Sequence, residues 1–232
     1  MLRIMIANGP EGSSIAGLVL FCRRPAPGVG KQRIAADLGA RATSALADKL
    51  LDAALEDAAD WPGPVIVAPA DPADADWAAT LLRRDCRVMP QPAGNLGERL
   101  NAVDRQVRET IAVTALIFIG SDSPALTAHE FAAARSALLD QDVVLLPADD
   151  GGVTLMGARV AWPSLAGLRW ETEYLAADLE RCCLNAGLTV HRLAEGYDID
   201  RVSDLPRLMH DLAADRRPAR ARLHQWLKQR YD

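Results

Sequence analysis

The chain has 232 residues, half of them hydrophobic and a quarter charged, with a formal net charge of −5. That length suits one sizeable α/β core better than two, and the acidic balance argues against bulk nucleic-acid binding, which needs a basic stripe. The opening MLRIMIANGPEGSSIAG is too short and too polar for a signal peptide, and no apolar run approaches the length of a membrane span.

Strand-like and helix-like segments alternate from residue 17 onward. GLVLFC (17–22) is a short apolar run and reads as a buried strand, and residues 42–59 carry apolar positions at helical spacing. PVIVAPA (64–70) is a strand, 75–84 a helix, CRVMPQ (86–91) a short strand and 96–111 an amphipathic helix that Asn95 caps. TALIFIG (114–120) is the next strand, and 128–139 is a helix that Thr127 caps. DVVLLPA (142–148) and VTLMGA (153–158) are strands, 171–187 is a helix closed by Gly187, LTVHRL (188–193) is a strand, and helices run from about Ser203. RIMIA near the N-terminus fits an edge strand.

Such alternation predicts an α/β fold in three layers, α/β/α, with a mostly parallel sheet covered on both faces. The expected organisation is a single domain over 1–232, with 1–16 an N-terminal extension without a placement and 209–232 a helical tail. The Arg-rich DRRPARARLHQWLKQR (215–230) reads as a solvated terminal helix, or else as a phosphate or partner patch. Cys22, Cys86, Cys182 and Cys183 lack metal-ligand spacing, so reduced thiols in a cytoplasmic protein are expected.

Ligands of open α/β sheets sit outside the carboxyl ends of the strands, so the loops there carry the chemistry. RRPAPGVGKQR (23–33) has Pro27 stiffening the exit, Gly28 and Gly30 leaving backbone amides open, and Lys31 and Arg33 beside them, a combination suited to a diphosphate or to a plain turn with solvated cations. In PAGNLGERL (92–100), Gly97 and Arg99 fall in the first turn of a helix. A cation there opposes the dipole, so Arg99 wants an anion nearby or a structural acid such as Glu98 or Asp104. PADDGGVTLMG (147–157) ends a strand on Asp149, Asp150, Gly151 and Gly152, which is also the commonest hairpin-turn signal. Trp170 and Glu171 precede a helix, where Trp170 suits core packing or stacking on a sugar or base. Asp122 ends the strand at 114–120, and Asp198 and Asp200 end another probable strand. Carboxylates gathered at one sheet edge repel, and a divalent cation with oxygen ligands resolves the repulsion. Mg²⁺ takes one or two carboxylates together with substrate phosphates.

The order P-x-P-G-x-x-K-x-R, L-G-E-R, G-S-D-S-P, D-G-G, W-E-T and D-I-D-x-x-x-D-L, spread over 17 to about 208, resembles a family of small bacterial proteins with the GT-A nucleotide-diphospho-sugar transferase fold. Members are often labelled glycosyltransferases, and one is associated with arsenosugar biosynthesis. The resemblance implies a nucleotide-binding half near the N-terminus (Pro27, Gly28, Gly30, Lys31, Arg33, Gly97, Arg99) and a Mg²⁺ or Mn²⁺ carboxylate at Asp122. The second acid of a D-x-D motif is absent, so Asp198 or Asp200 has to supply it. It places Trp170, Gly151 and Gly152 on the acceptor side, with Asp149, Asp150 or Glu171 activating the acceptor hydroxyl. Gln32 stands where members usually carry Thr, and Val153 and Thr154 where they carry aromatics.

The leading expectation is glycosyl transfer from a nucleotide sugar to a small acceptor. The alternative is nucleotidyl transfer, because D-I-D-x-x-x-D-L and K-x-R also resemble 2-phospholactate guanylyltransferase, which uses a nucleoside triphosphate. A third reading is a nucleotide binder without turnover.

Overall fold

The computed structural model describes residues 16–231, so RIMIA lies outside the described residues. Among the described residues seven strands form one sheet in the order β3-β2-β1-β4-β6-β5-β7. They are β1 (Ala16–Cys22), β2 (Val65–Pro69), β3 (Arg87–Val88), β4 (Ala115–Ile119), β5 (Val143–Pro147), β6 (Val153–Ala158) and β7 (Val190–Arg192). All neighbours pair in parallel except β6, which runs antiparallel to both β4 and β5. The exception has a local cause. The Asp-Gly turn after β5 returns the chain at once, so β6 enters as a hairpin partner instead of through a helical crossover.

The helices are α1 (Gln32–Leu38), α2 (Ala40–Asp60), α3 (Ala75–Ala79), α4 (Leu96–Thr110), α5 (Ala128–Ala137), α6 (Leu175–Asn185), α7 (Leu205–Asp211) and α8 (Pro218–Tyr231). Strand residues alternate between two cores, as the two-residue period requires. Leu18, Leu20, Val67, Ile117 and Leu146 pack with Leu51 and Ala54 of α2 and with Phe131 and Ala134 of α5. Val19, Ile66, Leu116, Phe118 and Leu145 pack with Leu100, Val103 and Val107 of α4 and with Leu179 and Cys183 of α6. The three-layer α/β/α arrangement follows. Each fully buried Leu, Ile or Val contributes roughly 1.5–3 kcal/mol of transfer free energy to it.

Both expected helix caps are present as capping boxes, Asn95 with Glu98 and Thr127 with Glu130. Gly187, at φ +78°, turns the chain out of α6 in the left-handed region that glycine tolerates. Two expected helices are shorter than their periodicity suggests. The helix expected over 75–84 stops at Ala79, and the following turn is held by Arg84, which donates to the carbonyls of Ala58, Trp61 and Gly63. The helix expected from 171 starts at Leu175, because Glu171 is left-handed at φ +62° and the Thr172 hydroxyl bonds back to the Arg169 carbonyl.

The C-terminal tail differs most from a solvated helix. A third core joins Ile34 of α1 and Leu46 and Leu50 of α2 to Ile199, Leu205 and Leu208, and to Leu223, Trp226 and Leu227 of α8. Arg220 is wholly buried. It donates to the carbonyls of Ala53, Pro124 and Leu126 and pairs with Glu56 and Asp57 at 3.1 and 2.7 Å. Arg217 pairs with Asp57 and Asp215 at 2.9 and 2.7 Å. These arginines therefore brace the loop after β4 and offer no free basic patch.

Candidate functional site

A cleft of about 1030 Å³ opens at the carboxyl edge of the sheet. Its walls include Lys31 and Arg33, Asp122 after β4, Asp149, Asp150 and Gly152 of the β5–β6 turn, Trp170 and Glu171, and Asp198 and Asp200. Loops scattered over the chain converge here because parallel strands all end at one edge, and β6 starts there.

Asp122, Asp198 and Asp200 each present a carboxylate oxygen such that the three atoms lie within 4.8 Å of one another. Two bonds build the trio. The Ile199 amide donates to the Asp122 carbonyl at 2.9 Å, and the Asp200 amide donates to the Asp204 carboxylate at 2.9 Å. In an extended stretch, residues two apart share a face. Ile199 is fully buried in the third core, which leaves Asp198 and Asp200 toward Asp122. Lys31 Nζ lies 3.1 Å from both Asp122 Oδ2 and Asp200 Oδ1, and Arg33 Nη1 lies 3.4 Å from Asp200 Oδ2. Burial works to lower the Lys31 ammonium, but Asp122 and Asp200 outweigh it and hold its pKa above the ordinary value. Burial, followed by the charges of Asp122, Asp200 and Asp150, pushes Asp198 up to about 7 against the pull of Lys31. Three carboxylates beside one ammonium form a hard-oxygen donor set of the kind that can hold a divalent metal ion.

Lys31 has φ +47° and follows Gly28 and Gly30, at φ +83° and +66°. Gln32 fastens this loop by donating to the Gly28 carbonyl at 3.0 Å. Pro27, Gly28 and Gly30 shape the loop but do not line the cleft. The helix that follows has only seven residues, so most of the pull on an anion comes from the side chains of Lys31 and Arg33.

The remaining sequence candidates separate. Asp149 is in a salt bridge with Arg207, whose guanidinium lies 3.8 Å from the Tyr197 ring centroid. Asp150 Oδ1 accepts from the Gly152 amide at 2.9 Å, so it both makes the turn and faces the cleft. Gly151, at φ +88°, lies against the Glu173 carbonyl, where an added Cβ would sit at 1.9 Å, and its own carbonyl accepts from Ala176 at 2.9 Å. The two loops are thus interlocked. Gly97 and Arg99 do not line the cleft. A Cβ on Gly97 would lie 2.1 Å from the Leu165 carbonyl and 2.6 Å from Trp170 Nε1, so the glycine permits close packing. Arg99 pairs with neither Glu98 nor Asp104; it donates to Gln91 Oε1 at 2.8 Å. Burial and then Arg23 lower its pKa, with Glu171 acting in the opposite direction. Trp170 donates its indole N–H to the Leu165 carbonyl at 3.0 Å, packs at the edge of the second core and lines the cleft.

Several residues escaped the sequence reading. Arg207 has no motif around it. Asp204, near the start of the terminal helices, fixes the Asp200 and Arg201 amides. Phe21 and Phe118 line the cleft as an edge-to-face pair 5.9 Å apart; their alternation along β1 and β4 was the available signal.

Residues 50–172 match the family described as "uncharacterized protein conserved in bacteria (DUF2064)". The chain belongs to that family. The match holds Asp122, Asp149, Asp150, Trp170 and Glu171, while Lys31, Arg33, Asp198 and Asp200 of this DUF2064 protein lie outside it. No curated protein matches the sequence. Among solved structures, a protein of Desulfovibrio desulfuricans G20, provisionally described as a nucleotide-diphospho-sugar transferase, superposes with a TM-score of 0.82 at 21% identity, covering 93% of this chain and 98% of that one. A CMP:2-keto-3-deoxy-manno-octonic acid synthetase complexed with CTP gives 0.53 at 14% identity, covering 91% and 99%. A cytidylyltransferase of Leptospira borgpetersenii gives 0.54 at 11% identity, covering 93% and 94%. At these identities the likeness is one of fold. This DUF2064 protein has the nucleotide-diphospho-sugar transferase fold, and the named neighbours are described as a transferase, a synthetase complexed with CTP and a cytidylyltransferase. Among the described residues no helix is long and apolar enough to cross a membrane.

Proposed function

We propose that the protein is a divalent-metal-dependent transferase that moves a sugar from a nucleotide-diphospho-sugar to a small hydroxyl acceptor. The observation that carries the reading is the trio Asp122, Asp198 and Asp200, with Lys31 and Arg33 beside it on the cleft wall. The trio would hold Mg²⁺ or Mn²⁺, which when bound neutralises charge gathering on a leaving diphosphate. Lys31 and Arg33 bind and orient the phosphates. Asp150 and Glu171 face the cleft and are in no salt bridge among the described residues, so they are the candidates to take the acceptor's proton. Asp149, held by Arg207, positions the turn. Trp170 supplies a flat wall for the acceptor, and Gly152 lets it come close.

A second reading is nucleotidyl transfer, in which a phosphorylated or acidic acceptor attacks the α-phosphate of a nucleoside triphosphate. Its support is the fold shared with a synthetase complexed with CTP and with a cytidylyltransferase. The two part in their products. The protein, incubated with Mg²⁺, nucleotide sugars or nucleoside triphosphates, and a panel of hydroxyl acceptors, should release a nucleoside diphosphate from a nucleotide sugar and no pyrophosphate. Pyrophosphate release would replace the first reading by the second. Metal-dependent nucleotide binding without any product would leave a binder without turnover.

A further inference from the structure

We propose that Lys31 is the resident counter-cation of the acidic trio: it bridges Asp122 and Asp200 until a divalent ion enters with a diphosphate, and then turns to the diphosphate. The inference rests on the metal-and-diphosphate reading above and adds an exchange within the site, which couples the two ligands.

Three observations support it. Lys31 Nζ is equidistant, at 3.1 Å, from one oxygen of Asp122 and one of Asp200. The other oxygen of Asp200 is engaged by Arg33 at 3.4 Å, so both oxygens of this carboxylate are already held by protein cations. Among the described residues no cation forms a salt bridge to Asp198, the third member. An ammonium and a divalent ion cannot share the same carboxylate oxygens, since like charges at contact distance repel. One of Asp200's cations therefore has to leave when an ion is bound. Lys31 is suited to do so. Its charge rides on a flexible four-carbon stem, and its side chain is only 14% exposed, so the nearest partner for a displaced ammonium is whatever fills the cleft. Its backbone need not move, because Gln32 fastens the loop to the Gly28 carbonyl.

The consequence is coupling. Lys31 resists the ion when the cleft is empty and binds the phosphates once the ion is in place. By linkage, each ligand strengthens the other by the same factor, of the order of 5–150-fold for coupled sites. A lysine that only binds phosphate has no effect on the ion alone, and a lysine that only braces the loop affects neither ligand directly.

The test uses the full chain, stripped of metal, with two probes: Mn²⁺ alone, followed by electron paramagnetic resonance of the free ion, and inorganic pyrophosphate titrated by calorimetry at saturating Mg²⁺. Lys31→Met should bind Mn²⁺ alone about tenfold more tightly than the parent protein and Mg²⁺-pyrophosphate at least about tenfold more weakly. Arg33→Met should leave Mn²⁺ alone within about twofold, because an exposed ion pair contributes little. Circular dichroism checks the fold. Should Lys31→Met fail to fold, Lys31→Asn decides, since Asn tolerates the left-handed backbone. Unchanged or weaker Mn²⁺ binding in a folded Lys31 variant overturns the exchange while leaving the metal site standing. Absence of Mn²⁺ binding in every folded protein, the parent included, overturns the metal reading and this inference with it.

Discussion

The amide of Ile199 donates to the carbonyl of Asp122 at 2.9 Å, and this one bond brings two acids from the far end of the chain beside the end of β4. Ile199 is buried in the core beneath, and Asp198 and Asp200, on either side of it, complete the trio. The buried isoleucine makes the arrangement stiff, so the carboxylates stay close although they repel.

Replacing Asp122 by Asn should keep the fold, because Asn has the same shape and the bond from Ile199 goes to the Asp122 backbone carbonyl, and should remove the metal-dependent part of nucleotide binding. A ligand at a hundred times its dissociation constant adds about 2.7 kcal/mol to stability. Thermal unfolding with Mg²⁺ and a nucleoside diphosphate should show that increment in the parent and lose it in Asp122→Asn and Asp198→Asn. Retention of the increment in both variants would make the trio a set of turn residues.

Glu171→Gln should lower kcat and leave donor affinity nearly unchanged, as expected of a group that acts on the acceptor. An equal loss of donor binding would move Glu171 to the nucleotide side. Gly151→Ala should lower both activity and stability, the latter by more than about 1 kcal/mol. The new Cβ would strike the Glu173 backbone at 1.9 Å and displace the segment carrying Glu171. Steady-state kinetics and urea unfolding read the two effects.

Arg220→Met should cost about 3–5 kcal/mol, the range for removing one partner of a buried ion pair. It takes the guanidinium donors from the carbonyls of Ala53, Pro124 and Leu126 and leaves Asp57 with Arg217 as its one cation. Arg222→Met, which removes an exposed pair with Asp52 at 3.7 Å, should cost at most about 1 kcal/mol. Similar denaturant midpoints for the two variants would show that the Arg220 network is dispensable to the fold.

The acid limb of stability should depend on Asp178. Hydrogen bonds from Arg169 at 2.6 and 2.9 Å, with Arg181 adding its charge, hold the carboxyl below the usual aspartate value. The unfolded chain then takes up the proton more readily than the folded one as pH falls. The contribution is present above the ordinary carboxylate range and is lost below it. Between pH 5 and pH 3 the urea midpoint of the parent should fall further than that of Asp178→Asn. Equal slopes would remove the pair from the acid response, together with its part in holding the turn before α6.

The apolar runs at 17–22, 64–70, 114–120 and 142–148 determined their strands unaided, because each is buried on both faces and no other element accommodates so continuous a run. The caps Asn95 and Thr127 and the Gly187 stop were equally legible, since the atoms involved lie within a few residues of one another. The short helix at 75–79 and the late start of α6 were not legible. Arg84 and the left-handed Glu171 end those patterns through tertiary contacts and backbone geometry that periodicity does not carry. The antiparallel β6 followed from a turn signal that alternation outweighed.

In the site, the residue types were legible as acids and cations at strand ends. Which acid meets which cation was a matter of tertiary structure. Lys31 meets Asp200 across 169 positions, Arg207 meets Asp149 across 58, and Arg220 meets Pro124 across 96. Sequence alone therefore determined the sheet and the kinds of groups at its edge, because burial and turn chemistry act locally. Only the folded chain decided that one lysine bridges two of the three clustered aspartates and that Arg217 and Arg220 are interior braces, because pairing between distant charges depends on which loops the packed cores bring into reach.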